Sequence, residues 1–143
     1  MDERTTNELL GVLKSCTTIS GLEEVLVELP ESDRLSVREH LHKLLKEKGL
    51  DKAAVIREAN LARTYGYQIF QGEKTAGRDK LLAIAFAMNL SLEECNRLLT
   101  VAKTGVLYSR NRRDAIIIFS LERSLSLLEV NELLYEMEES IIE

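Results

Sequence analysis

Tryptophan is absent, proline occurs once, cysteine twice, and aromatic residues make up 5% of the 143 residues. With its only proline at position 30, the chain has no other fixed helix breaker. Cys16 and Cys95 are far apart and lack a Cys-x-x-Cys spacing, which argues against a disulfide framework or a zinc site; both fall on apolar helix faces, as reduced core cysteines do. No apolar run approaches the ~18 residues that a membrane span requires. The longest, Ala115 to Phe119, is stopped by Arg113-Asp114 on one side and Glu122 on the other. The start, Met1-Asp-Glu-Arg, is acidic where a secretory signal is basic, so a cytoplasmic protein without membrane contact is expected. A phosphate-binding glycine loop, a nucleophile motif and a carboxylate pair at catalytic spacing are all missing, so neither enzymatic activity nor a cofactor is expected.

What is present is apolar residues at 45% and charged residues at 30%, the balance of an ordinary globular domain. A chain of this length buries roughly two thirds of its unfolded surface, so its core needs no covalent staple. Apolar residues recur at spacings of three and four nearly throughout, which predicts an all-α fold. A helix over about 7–16 carries Leu9, Leu10, Leu13 and Cys16 on one stripe, with Thr6 or Asn7 as its cap. A second opens at a Ser20-x-x-Glu23 capping box and stops at Pro30, and Pro30 to Asp33 forms a linker. A third opens at Ser36-x-x-Glu39, turns Val37, Leu41, Leu44 and Leu45 inward and ends at Gly49. Further helices are expected over about 51–59, 62–70, 77–89, 92–103, 112–123 and 127–139.

The charge is unevenly distributed. Residues 1–35 hold 3 basic and 8 acidic side chains, residues 36–103 hold 12 and 8, and residues 104–143 hold 4 and 8, within a total of −5. A basic centre between acidic flanks suits a central unit that meets a polyanion. Three segments follow: an N-terminal helical extension (1–35), a central domain (36–103) and a C-terminal helix pair (104–143).

An internal repeat links the last two. Arg78-Asp79 through Leu99 aligns without gaps on Arg113-Asp114 through Leu134. The identities include Leu-Ser-Leu at 90–92 and 125–127, Glu94 with Glu129, Asn96 with Asn131, and Leu98-Leu99 with Leu133-Leu134. Each copy has the pattern helix, turn, Ser-x-x-Glu capping box, helix, which makes 115–119 a buried helix segment although its composition also fits a strand. The second pair is expected to pack on the first and extend its core. An Asp near a helix start suits the helix dipole and an adjacent Arg can pair locally, so capping is the expected role of both Arg-Asp steps.

Residues 41–94 carry the chemical signal. A helix ends in Lys48-Gly49-Leu50, a second contains Val55-Ile56, the turn Asn60-Leu61-Ala62 leads to a third that closes in Ile69-x-x-Gly72, and a fourth ends in Asn89-Leu90-Ser91-Leu92. In this order and spacing the segment resembles the lambda-repressor-like helix-turn-helix domain of the Cro and XRE type. The resemblance implies that helix 62–70 enters the DNA major groove, that Lys52 touches backbone phosphate, and that Lys74 occupies a commonly basic position. Three departures stand out. Gly66 replaces a branched apolar residue of the family, and a mid-helix glycine costs about 1 kcal/mol relative to alanine, so helix 62–70 is expected to be loose before binding. Phe70 stands where an acidic residue is common, and Ala76-Gly77-Arg78-Asp79 where a Pro-Ser start is frequent.

On the residues themselves, Val55, Ile56 and Ala59 should pack inward with Leu61 beneath them and Ile69 as anchor, while Tyr65 is partly buried. Arg63, Thr64, Tyr67 and Gln68 then share an outer stripe. Arg63 can fork onto guanine, Gln68 onto adenine, and Tyr67 can contact a sugar or a thymine methyl; on composition alone such a stripe is more often an ordinary solvated face, and its position after the turn lifts it here. Arg110, Arg112 and Arg113 beside Tyr108 fit either a phosphate contact or a solvated loop. His40 and His42 point to different helix faces, which disfavours a metal site. The acidic end, Glu129 to Glu143, is expected to be the solvated face of a core helix. The expected function is sequence-specific binding of double-stranded DNA by a homodimeric transcriptional regulator, with the flanking helices, residues 112–139 foremost, mediating self-association or a protein contact. The alternative is a protein-binding adaptor on the same helical fold.

Overall fold

The structure, a computed structural model, describes residues 6–15, 18–27 and 36–143. The described residues are all-helical, with nine helices and no strand. By internal contacts the chain divides into two compact units, 1–35 and 36–143.

In the first unit α1 (Thr6–Ser15) packs on α2 (Ile19–Val27). Thr6 and Asn7 already lie inside α1, so neither is its N-cap. The start of α2 also differs from the expected Ser20 box: the Thr18 hydroxyl accepts the Gly21 N–H at 3.0 Å, which begins the helix one residue before Ser20. Leu10 and Leu13, half of the predicted stripe, are exposed. The expectations for Cys16 and for the Pro30–Asp33 linker fall outside the described residues.

The second unit contains α3 (Val37–Lys48), α4 (Lys52–Glu58), α5 (Arg63–Gln71), α6 (Arg78–Ala87), α7 (Leu92–Val101), α8 (Arg112–Glu122) and α9 (Leu127–Glu136). Local chemistry sets the ends. Ser36 accepts the Glu39 N–H as half of the expected box, and Gly49 closes α3 at φ 62°, where its N–H and that of Leu50 both return to the Leu45 carbonyl. Ser91 and Ser126 form complete capping boxes with Glu94 and Glu129. The segment 115–119 lies within α8, as the repeat predicted.

One apolar cluster runs from Leu41 on α3 to Ile142 after α9. At its centre, Leu81 to Phe86 of α6 are all buried; a helix so enclosed shows no amphipathic stripe. Helix α6 packs on α4, α7 and α9, and α7 packs on α3, α6 and α8. The C-terminal pair therefore shares one core with residues 36–103, and Cys95 is buried within it as a free thiol whose pKa burial pushes up to about 12.

The repeat is a repeat of structure as well as of sequence. Asn89 and Ser124 take left-handed turns at φ 53° and 54°, and Lys103 and Glu138 at 59° and 62°. After each pair the chain folds back: the Asn96 side chain accepts the Leu107 N–H at 2.9 Å, and that of Asn131 accepts the Ile142 N–H at 2.8 Å. Leu107 and Ile142 plug equivalent ends of the core.

Asp79 and Asp114 lie in the first turns of α6 and α8 as expected, but the expected local Arg-Asp pairing is corrected. Arg78 holds Asp114 of the other copy in a two-pronged pair at 3.0 and 2.8 Å, and Arg113 holds Asp79 at 3.1 and 3.0 Å. The cap of α8 is instead Asn111, whose side chain accepts the Asp114 N–H at 2.9 Å. Each arginine also donates to two carbonyls of its own fold-back segment, Arg78 to Gly105 and Val106, Arg113 to Ser140 and Ile141. Arg112 is held by the Met137 carbonyl and Glu139, so two of the three clustered arginines are occupied within the protein.

Candidate nucleic-acid interface

Helices α4 and α5 are short and joined by a tight turn. The Asp51 carboxylate accepts the Ala54 N–H at 3.1 Å to start α4, and Asn60 takes a left-handed conformation, φ 58°, to end it. The turn brings the Leu61 N–H onto the Ile56 carbonyl at 3.2 Å and buries Leu61. Val55, Ile56 and Ala59 face the core as expected, and Ile69 and Phe70 anchor α5.

Gly66 is where α4 and α5 meet. A Cβ there would stand 2.4 Å from Cγ2 of Ile56, so the bulk that a branched residue would bring to α5 is supplied by α4. The glycine permits the close packing of α4 on α5 that a larger residue would block. Phe70 is fully buried, and its carbonyl accepts a hydrogen bond from Nε2 of His42 at 2.9 Å while the two rings meet edge to face. His40 lies on a different face and is directed toward Arg97 of α7.

The structure gathers three of the six predicted residues. Lys52 Nζ and the Arg63 guanidinium carbon each lie 5.9 Å from the centre of the half-buried Tyr67 ring, so a phenol is flanked by two cations from two helices. Arg63 and Tyr67 also line an open groove of about 540 Å³ with Ile56, Arg57 and Asn60. Thr64 is exposed beside Arg63, and Gln68, one turn further along α5, is half-buried. Lys74 is exposed at the opposite end of α5, in a second groove with Ser36 and Arg38. Among the described residues, no carboxylate forms an ion pair with Lys52, Arg57, Arg63 or Lys74.

Two basic residues were missed. Arg57 follows Lys52 on α4, and only the α4–α5 packing shows that it borders the Tyr67 groove. The stem of Arg38 lies along Gly72, a neighbour that follows from the packing of α3 on α5 and leaves no trace in sequence spacing.

Compared with known proteins, the chain matches no family model, no curated protein and no solved structure.

Proposed function

We propose that the protein is a transcriptional regulator that binds double-stranded DNA in a sequence-specific manner, with α4 and α5 acting as a helix-turn-helix of the Cro and XRE type. The observation that carries this reading is the face on which Lys52 and Arg63, neither ion-paired to a carboxylate among the described residues, flank the half-buried Tyr67. In this reading α5 lies in the major groove, Arg63 and Gln68 meet base edges, Thr64 and Tyr67 contact sugar or a thymine methyl, and Lys52 and Lys74 grip phosphates on either side. The lysines set register and the α5 side chains specify sequence. The acidic excess does not oppose this, because residues 36–103 are net basic and the surplus of carboxylates lies in the two flanks. A homodimer, reading two half-sites about one helical turn apart, would bring the affinity of so small a reader into the usual specific range.

The test is selection of bound duplexes from a randomised library, followed by affinity for the selected sequence and a scrambled control at two salt concentrations. Enrichment of a palindrome supports a dimeric reader. Absence of enrichment, with feeble and salt-sensitive binding only, removes the reading in favour of the protein-binding adaptor.

A further inference from the structure

We propose that the outer face of α9, built on Leu128, Glu132 and Tyr135, docks a basic amphipathic helix of a partner protein. The three residues follow the i, i+4, i+7 spacing of one helix stripe. Leu128 is 69% and Tyr135 79% exposed, although α9 turns Leu127, Val130 and Leu134 into the core. Isolated apolar residues on a surface are ordinary. The repeat makes this stripe different.

In the first copy α7 packs on α6, on α8 of the other copy, and on α3. The contact with α3 runs along Glu93, Glu94 and Arg97, which face His40, Lys43, Leu44 and Glu47 across a narrow cleft, and Lys48 pairs with Glu94 at 3.0 Å. In the second copy α9 makes the same first two contacts, with α8 and with α6 of the other copy. The positions equivalent to Glu93, Glu94 and Arg97 are Leu128, Glu129 and Glu132. There the polar rim has become an apolar residue beside two carboxylates, and within residues 36–143 no helix takes the place of α3 and no cation forms an ion pair with Glu129. Glu94 and Arg97, half-buried against α3 in the first copy, thus become the exposed Glu129 and Glu132 in the second, where no helix of residues 36–143 lies beside Leu128 in the position of α3.

Charge selects the occupant. Glu129, Glu132 and Glu136 are exposed around Leu128 and Tyr135, within a segment that holds 8 acidic and 4 basic residues. A second copy presenting the same acidic face would set like charges against each other, whereas a helix with an apolar stripe and Lys or Arg on its flanks meets both features. Helix α3 itself has that character, with Leu41, Leu44 and Leu45 on one side and Arg38, Lys43, Lys46 and Lys48 beside them.

The experiment titrates a fluorescein-labelled peptide of residues 36–49, supplied in trans as a model basic helix, into the full-length protein and reads anisotropy. Saturable binding is expected, weakened about tenfold or more by Leu128→Glu and by Tyr135→Glu, weakened by salt, and unchanged by Lys52→Ala with Arg63→Ala. Both stripe side chains point to solvent, so circular dichroism should show unaltered folding of the variants. A peptide with its Lys and Arg replaced by Glu should not bind. The proposal is overturned if the basic peptide shows no saturable binding, if binding ignores both stripe substitutions, or if light scattering shows that the protein self-associates and Leu128→Glu renders it monomeric, which would give the face to a second copy.

Discussion

The guanidinium of Arg78 holds both carboxylate oxygens of Asp114 across the boundary between the two repeats, and Arg113 returns the same contact to Asp79. Reciprocal contacts of this kind are those of an interface across a two-fold axis, here within one chain. Each arginine is satisfied on both sides, by the partner's carboxylate and by its own fold-back carbonyls. The pairing is closed, so the Arg-Asp positions present no free partner to a third copy. Burial pushes the Asp114 carboxyl up, but the Arg78 guanidinium, the Tyr108 N–H and the charges of Arg78 and Arg113 outweigh it and hold it below the usual carboxylate range.

The two halves of this clasp should not be worth the same. The Asp114 side chain is 8% exposed, against 33% for Asp79. Arg78→Met leaves a buried carboxylate with only the Tyr108 N–H and should cost about 3 kcal/mol. Asp79→Ala leaves Arg113 with its two carbonyls and water and should cost about 1 kcal/mol. Urea unfolding followed by circular dichroism measures both; equal losses would mean that burial does not set the asymmetry.

His40 should make stability depend on pH above the carboxylate range. Its ring is buried with neither nitrogen hydrogen-bonded among the described residues. Burial first, then the positive charges of Arg97 and Lys43, lower its pKa from 6.5, while Glu47 opposes them. Glu93 and Glu94 complete the lining of the cleft. The folded state therefore binds a proton less readily than the unfolded chain, and stability present above pH 6.5 declines as pH falls through that value toward the folded pKa. Between about pH 7 and about pH 5 the wild type should lose stability and His40→Leu should lose less. Parallel unfolding curves for the two proteins across that window would exclude His40 as the titrating group.

Gly66→Ala tests the meeting of α4 and α5. Helix propensity alone favours alanine by about 1 kcal/mol. The added methyl would meet Ile56 at 2.4 Å, and overpacking of this kind costs about 1–3 kcal/mol, so the substitution should destabilise. In an Ile56→Ala background the obstructing Cγ1 and Cγ2 are gone and the same substitution should be neutral or stabilising. A four-variant unfolding cycle reads the coupling directly; additive effects would show that the contact does not decide the choice of glycine.

These cases show where sequence stops being legible. Helix positions were readable because Leu41, Leu44 and Leu45 repeat with the helix and because Ser91 and Ser126 stand three residues before a glutamate. The repeat was readable as a constant offset. The Arg78–Asp114 clasp was not, since each arginine sits beside an aspartate of its own copy and the exchange arises only when the copies pack. Gly66 looked like a defect for a similar reason: its compensation, Ile56, lies on another helix. Within the candidate interface, the α5 stripe followed from spacing, whereas Arg57 and Arg38 joined it only through packing of α4 and α3 against α5.

The flanking of Tyr67 by Lys52 and Arg63 separates two kinds of DNA contact. If Lys52 meets phosphate, Lys52→Ala should weaken all duplexes alike and reduce the slope of log K against log salt by about 1. If Arg63 reads a base, Arg63→Ala should cost about 1–3 kcal/mol on the selected sequence, little on a scrambled one, and relax preference at one position. Tyr67→Phe keeps the ring against both cations and should behave nearly as wild type; Tyr67→Ala removes their common support and should impair both effects at once. Fluorescence anisotropy on the selected and scrambled duplexes at two salt concentrations distinguishes these outcomes. Uniform loss from all three alanine variants would reduce the face to nonspecific charge, and no loss from any would move the DNA contact away from α4 and α5.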